Sequence, residues 1–68
     1  MHDHKAAFIT ELAQRVFGDP VQARDWLDRP CVQLGGRRPR EMLVTADGVR
    51  RVEELLTQID DDRRLHHG

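Results

Sequence analysis

Apolar residues recur at steps of three and four along most of the chain, which is the spacing of one helical face. This pattern predicts a first helix over residues 6–17, and Gly18 supplies its end. Asp19 is a suitable N-cap and Pro20 a suitable first residue for a second helix, which we predict from Pro20 to about Leu27. The interior positions of these two helices would be Phe8, Ile9, Leu12, Ala13, Val16, Phe17, Val21, Ala23, Trp26 and Leu27.

The stretch from residue 30 to residue 38 has no regular period. Gly35 and Gly36 lie at its centre, and paired glycines mark a backbone with positive φ or a close approach by another group. The segment Val32-Gln33-Leu34 is the one candidate strand, but it is too short to build a sheet. We therefore expect a loop here, between the second and third helices.

Two further helices are predicted after this loop. Pro39 can open a short third helix, with Met42 and Leu43 directed inward. Thr45 is a suitable N-cap for the last helix, which we expect to end near Asp60 and to leave residues 61–68 as a mobile tail. The chain is thus expected to be an all-α bundle of about four short helices, with a core that includes Phe17, Trp26, Leu27, Leu43, Val52 and Leu56.

Length and composition favour a single binding domain. A chain of 68 residues has room for one thin core, and the 38% hydrophobic and 34% charged content is typical of a globular domain with a solvated surface. Cys31 is the only cysteine, which excludes a disulfide-stapled secreted miniprotein. The N-terminus does not resemble a signal peptide and no apolar run approaches the length of a membrane span, so we predict a cytoplasmic protein without membrane contact.

Residues for catalysis and metal binding are scarce. The chain has no serine or tyrosine, and its one thiol, on Cys31, has no histidine near it in sequence. The histidines lie in the two terminal segments, at positions poorly suited to a rigid ligand set. We therefore expect no enzyme activity, no cofactor and no metal site.

Charge leaves several functions open. The formal net charge is −1, so no global attraction to nucleic acid is expected. Arginines nevertheless cluster at positions 37, 38, 40, 50 and 51. A solvated surface is the favoured interpretation of this cluster, contact with a protein comes second, and a small DNA-binding or regulatory module is the alternative in a different class.

A longer pattern resembles a known family. Trp26-Leu27 and Pro30 are followed by Leu34-Gly35-Gly36 and Pro39, then by Leu43, Thr45 and Gly48, and finally by Val52, Leu55-Leu56 and Ile59. With Phe17-Gly18 and Ala23 ahead of them, these residues are similar in order and spacing to the toxin-binding domain of Xre/MbcA/ParS-type antitoxins. The resemblance covers about residues 17–59 of the single domain that we expect over residues 1–68.

The resemblance implies a function. Antitoxins of this family belong to type II toxin-antitoxin systems and bind a cognate RES-domain toxin, which degrades NAD, covering the entrance to its active site. The implied partner-binding residues lie in the Gly-Gly loop and in the C-terminal tail: Gly35, Gly36, Arg37, Arg40, Arg63, Arg64, Leu65, His66, His67 and Gly68. In this interpretation the catalytic chemistry belongs to the toxin, and the arginines of the tail act as anchors in a cleft built for an anionic dinucleotide.

Two expectations about assembly follow. About sixteen residues precede Phe17, too few for the helix-turn-helix domain that family members commonly carry, so DNA binding is not expected of this chain alone. The apolar face of the first helix is larger than one thin core requires, which suggests a homodimer.

Overall fold

The computed structural model describes residues 4–65, with side chains described from residue 6 onward. It confirms the all-α class, and its element order is α1 (His4–Phe17), α2 (Pro20–Asp28), a first 3₁₀ helix (Val32–Leu34), a second 3₁₀ helix (Pro39–Val44) and α3 (Ala46–Leu65). Within residues 4–65 the only β-type pairing is an isolated antiparallel bridge between Cys31 and Arg37. None of the helices in this range is long and apolar enough to cross a membrane.

Local signals set the ends of the first two helices. Gly18 ends α1 with φ +71°, a conformation that costs glycine nothing, and its N–H donates to the Gln14 carbonyl at 2.8 Å. Asp19 caps α2 by accepting a hydrogen bond from the Val21 N–H at 3.1 Å, and Pro20 is the first helical residue. The extended backbone of Arg29, which precedes Pro30, ends α2.

The core lies where α1, α2 and α3 meet. Its fully buried apolar residues are Ile9, Ala13, Val16, Ala23, Leu27, Leu34, Val49, Val52 and Leu56, and the side chains that pack against it half-buried include Phe17, Trp26 and Leu43. Leu27, Val52 and Leu56 are thus the fully buried members of the expected core. Two interior positions were predicted wrongly: Phe8 is 48% exposed, and Val21 is 64% exposed. Because Val21 lies two residues from Ala23, it is on the opposite side of the short helix α2.

The beginning of α3 packs against the second 3₁₀ helix at very close range. The Thr45 hydroxyl caps α3 by accepting a hydrogen bond from the Gly48 N–H at 3.0 Å. A Cβ atom at Gly48 would overlap the Met42 carbonyl oxygen and lie 2.7 Å from the Met42 carbonyl carbon. Glycine is therefore required at this position by packing, because its φ is an ordinary helical one.

The end of α3 differs from the sequence prediction. The helix continues to Leu65, so the expected end near Asp60 and the expected mobile tail are wrong for residues 61–65. Asp60 and Arg64 form an i,i+4 ion pair at 3.2 Å, with the acid on the N-terminal side, where it supports a helix. Arg63 and Arg64 also place positive charge in the last turn, where the helix dipole favours it. The apolar repeat that predicted this helix stops at Ile59, so it could not predict the polar turns that continue to Leu65.

Candidate functional site

The Gly-Gly loop, defined as residues 31–37, is closed by its own backbone hydrogen bonds. The Cys31 carbonyl accepts from the N–H groups of Leu34 and Gly36, at 3.0 and 2.9 Å, and the Cys31 N–H donates to the Arg37 carbonyl at 2.9 Å. Gly35 and Gly36 have φ values of +70° and +85°. A loop tied in this way is already ordered before any partner arrives, which reduces the entropy lost on binding.

The two glycines are open to solvent. Both are exposed, and a Cβ atom built on either one would meet nothing within 4 Å. Their N–H groups are used inside the loop, because Gly35 donates to Val32 and Gly36 to Cys31. The loop therefore offers a partner a surface without side chains at these two positions, and it offers no free glycine N–H to an anion.

Two contacts tie the loop to its surroundings. Arg51, on α3, donates to the Gln33 carbonyl at 3.3 Å. The half-buried Cys31 side chain packs against the core, while its thiol donates within the loop to the Gln33 side-chain oxygen at 3.1 Å. Beside them, Val32 is 91% exposed, which adds an apolar side chain to the outer surface of the loop.

Most of the clustered arginines already have partners within the chain. Arg38 pairs with Glu41 at 3.7 Å, and Arg40 forms an ion pair with Asp28 on α2. With Arg51 bonded to the loop, Arg37 and Arg50 are the members of the cluster that lack a polar side-chain contact among residues 6–65. Because three of the five arginines are engaged within the chain, the cluster does not form the continuous basic surface that phosphate contacts require.

The end of α3 forms the second part of the predicted site. The Arg63 guanidinium carbon lies 5.8 Å from the centroid of the Phe17 ring, in cation–π geometry. Phe17 in turn lies against Trp26, with ring centroids 5.9 Å apart and planes at 44°. Arg64 is exposed beside Asp60, and Leu65 is 79% exposed. His66, His67 and Gly68 lie outside the described residues.

The structure does not bring the two parts of the predicted site into one compact patch. Arg51 marks where the Gly-Gly loop meets α3, and Arg63 marks the other end of that helix. Twelve residues separate them, which at 1.5 Å per residue is about 18 Å along the helix. A partner that contacts both parts must therefore cover most of the length of α3.

Sequence reasoning missed the two contacts that organise these parts. The bond from Arg51 to the Gln33 carbonyl joins residues eighteen apart, and the contact of Arg63 with Phe17 joins α3 to the end of α1. No spacing rule within one element reveals either contact. The i,i+4 spacing of Asp60 and Arg64, by contrast, is visible in the sequence and would have extended the last helix.

Few groups suited to metal binding lie in the described part of the chain. Residues 6–65 contain no cluster of three or more histidine, cysteine or acidic side chains with the geometry of a metal site. Cys31, the one thiol, has Gln33 as its polar neighbour. The charged groups at the end of α3 can make ion pairs and hydrogen bonds with a partner.

Comparisons with known proteins agree on one family. The sequence profile of the antitoxin Xre/MbcA/ParS C-terminal toxin-binding domain matches residues 12–61. The chain is also 42% identical, over 55 residues, to a protein named antitoxin Xre from Pseudomonas putida (strain KT2440). That alignment covers 81% of this chain and 35% of the relative, so the chain spans about a third of the length of the curated relative that it matches. No solved structure matches the chain.

The match includes the features that the structure explains individually. Residues 12–61 contain the Asp19 cap, the Gly-Gly loop, the Thr45 cap and the close approach at Gly48. They also contain α2, both 3₁₀ helices and the part of α3 that is buried in the core. The chain therefore belongs to the Xre/MbcA/ParS antitoxin family, as its C-terminal toxin-binding domain.

Proposed function

We propose that this chain neutralises a RES-domain toxin that degrades NAD, by binding the toxin and covering the entrance to its active site. The observation that carries the proposal is the family match over residues 12–61. In this function the chain is a binding module, and the catalytic chemistry belongs to its partner.

Two surfaces support contact with the toxin. The Gly-Gly loop is ordered and exposes Gly35, Gly36 and the side chain of Arg37. The end of α3 exposes Arg64 and Leu65, and a helical arginine is a suitable anchor for a cleft that binds an anionic dinucleotide. We infer that α3 lies along the toxin, with its end nearest to the active site.

Co-expression tests the proposal. The chain is expressed with the product of the adjacent reading frame, and growth, cellular NAD and co-purification are measured. The native chain is expected to form a complex and restore growth. Arg64→Glu should weaken the complex at least about tenfold, because it reverses charge at a proposed anchor. If the native chain gave neither a complex nor growth, the proposal would be wrong.

A matched control separates the surface from general charge effects. Arg24 lies exposed on α2, outside the Gly-Gly loop and on a different helix from Arg64, and Arg24→Glu makes the same chemical change there. We expect Arg24→Glu to bind the toxin as the native chain does. Equal loss of binding in the two variants would show that net charge, and not the end of α3, determines the affinity.

We also propose that the chain forms a homodimer through α1. Phe8 is 48% exposed at the edge of the apolar face of that helix, and a second copy would cover it. Sedimentation equilibrium tests this proposal. The native chain is expected to have a dimer mass at micromolar concentration and Phe8→Glu a monomer mass, whereas a monomeric native chain would refute the dimer.

A further inference from the structure

Two adjacent arginines near the end of α3 have different surroundings. Arg63 lies over the ring of Phe17, which belongs to another helix, whereas Arg64 pairs with Asp60 on its own helix. We propose that the two residues have different roles in toxin binding: Arg63 positions the end of α3, and Arg64 contacts the partner. This inference rests on the proposed function and states which of the two arginines contacts the toxin.

The case for Arg63 as a positioning residue begins with the aromatic pair beneath it. Phe17 is the last residue of α1, and it packs half-buried against Trp26 on α2. The guanidinium over Phe17 therefore connects the end of α3 to a cluster that already joins the other two helices. A planar cation over an aromatic face is an attractive contact that also restricts the direction of the side chain.

Little else holds the last turns of α3 against the bundle. Leu56 is the last fully buried residue of the helix, Ile59 is half-buried, and residues 61–65 are exposed. A helical segment without burial frays readily. Among the described residues, the contact of Arg63 with Phe17 is the last ionic, hydrogen-bonding or aromatic side-chain contact of α3 with another helix. Loss of that contact would leave residues 60–65 free to unwind.

Arg64 has the opposite properties. Its side chain is 78% exposed, and its ion-pair partner, Asp60, lies one turn earlier in the same helix. Exchange of Asp60 for an acidic or phosphate group of a partner would break no contact between helices. Arg64 can therefore leave its intrahelical pair while the end of α3 stays in place, because Arg63 holds that end.

A double-mutant cycle tests the positioning role. The variants are Arg63→Gln, Phe17→Leu and the double variant, with Arg64→Gln as the matched control. Amide hydrogen exchange of residues 60–65 is measured in the free full-length chain, relative to exchange at Val52 in the core. Each single change at Arg63 or Phe17 is expected to speed exchange roughly two- to fivefold, the size of an exposed cation–π contact. The exchange rate in the double variant should be no higher than in either single variant, because both changes remove the same contact.

Toxin binding supplies the second readout. With the product of the adjacent reading frame as the toxin, Arg63→Gln and Phe17→Leu should weaken binding by the same roughly two- to fivefold factor. Arg64→Gln should leave exchange of residues 60–65 within about twofold of the native rate, since it loses only an exposed pair. It should nevertheless weaken binding about tenfold or more.

Distinct results would overturn the inference. If Arg63→Gln weakened binding while Phe17→Leu left both binding and exchange unchanged, Arg63 would contact the toxin directly. Additive effects of the two changes on exchange would show that the side chains act separately, and this would also refute the positioning role. If the native chain did not bind the toxin at all, the proposed function would fail, while the exchange data would still report whether Arg63 holds the end of α3.

Discussion

The two ends of α3 are held by different kinds of interaction. Its first turns are enclosed: the Gly48 backbone lies against the Met42 carbonyl, Thr45 caps the helix, and Val49 and Val52 are buried. Its last turns are exposed: Arg63 connects them to the bundle through Phe17, while Arg64 pairs with Asp60 within the same helix. The difference indicates that the first turns are scaffold, whereas the last turns can adapt to a partner at small cost in stability.

The largest expected effect is at Gly48. Gly48→Ala should destabilise the chain by about 3 kcal/mol, because the added Cβ overlaps backbone that cannot move without displacing the second 3₁₀ helix. Helix propensity alone predicts the opposite sign, a gain of about 1 kcal/mol. Urea unfolding followed by circular dichroism measures the difference, with Asp47→Ala as an exposed control. If Gly48→Ala were more stable than the native chain, close packing would not be what holds the first turns of α3.

The cap at the same end should have a smaller effect. Thr45→Ala removes the oxygen that accepts from the Gly48 N–H and should cost about 1 kcal/mol. Thr45→Ser keeps that oxygen and should restore most of the loss. The same urea unfolding experiment measures both variants. If serine and alanine were equally destabilising, the hydroxyl would not be the stabilising group.

The Gly-Gly loop allows a test based on chirality. Gly35→Ala with the L residue should cost about 1 kcal/mol, because positive φ strains a Cβ on that side. D-alanine at Gly35, introduced by chemical synthesis, accepts this φ and should be at least as stable as glycine. The Cβ of the L residue has room in the free chain, so its cost comes from the backbone conformation and not from a clash. Calorimetry of the synthetic chains measures stability, and toxin binding of the stable D-alanine chain tests whether a partner needs the bare backbone.

The smallest effect on stability is expected at the exposed end. Arg64→Ala should change the free energy of unfolding by about 0.5 kcal/mol or less, since it removes one exposed i,i+4 pair with Asp60. Added salt should shrink even this difference. Unfolding at low and high ionic strength checks both statements. A loss as large as that expected for Gly48→Ala would contradict the contrast between the two ends of the helix.

Much of the fold could be predicted because its signals are local. The Asp19 cap, the stop at Gly18 and the Thr45 cap each depend on residues within four positions of one another. The period of the apolar residues also located the buried positions of α1 and α3. It failed at Phe8, which lies at the edge of the apolar face of α1. It also failed at Val21, because a helix of nine residues has too few apolar positions to define one face without ambiguity.

The candidate site was harder to predict. Its residues could be named from resemblance, but their arrangement depends on contacts between segments that are distant in sequence. The tail was expected to be mobile because its composition is polar. Instead, α3 continues to Leu65, and Arg63 contacts Phe17 at the end of α1. The separation of the loop from the end of α3 likewise appeared only when Arg51 placed the loop near the first turns.

By itself the sequence determined the helical class, most helix ends and the family, because caps, apolar period and motif order are properties of neighbouring residues along the chain. Only the tertiary structure decided why Gly48 must be glycine, and which arginines have partners within the chain. It also decided that Arg63 contacts Phe17 on another helix, whereas Arg64 pairs with Asp60 on its own helix. The physical reason is that steric exclusion and charge pairing act over a few ångströms in space, and three-dimensional packing sets those distances.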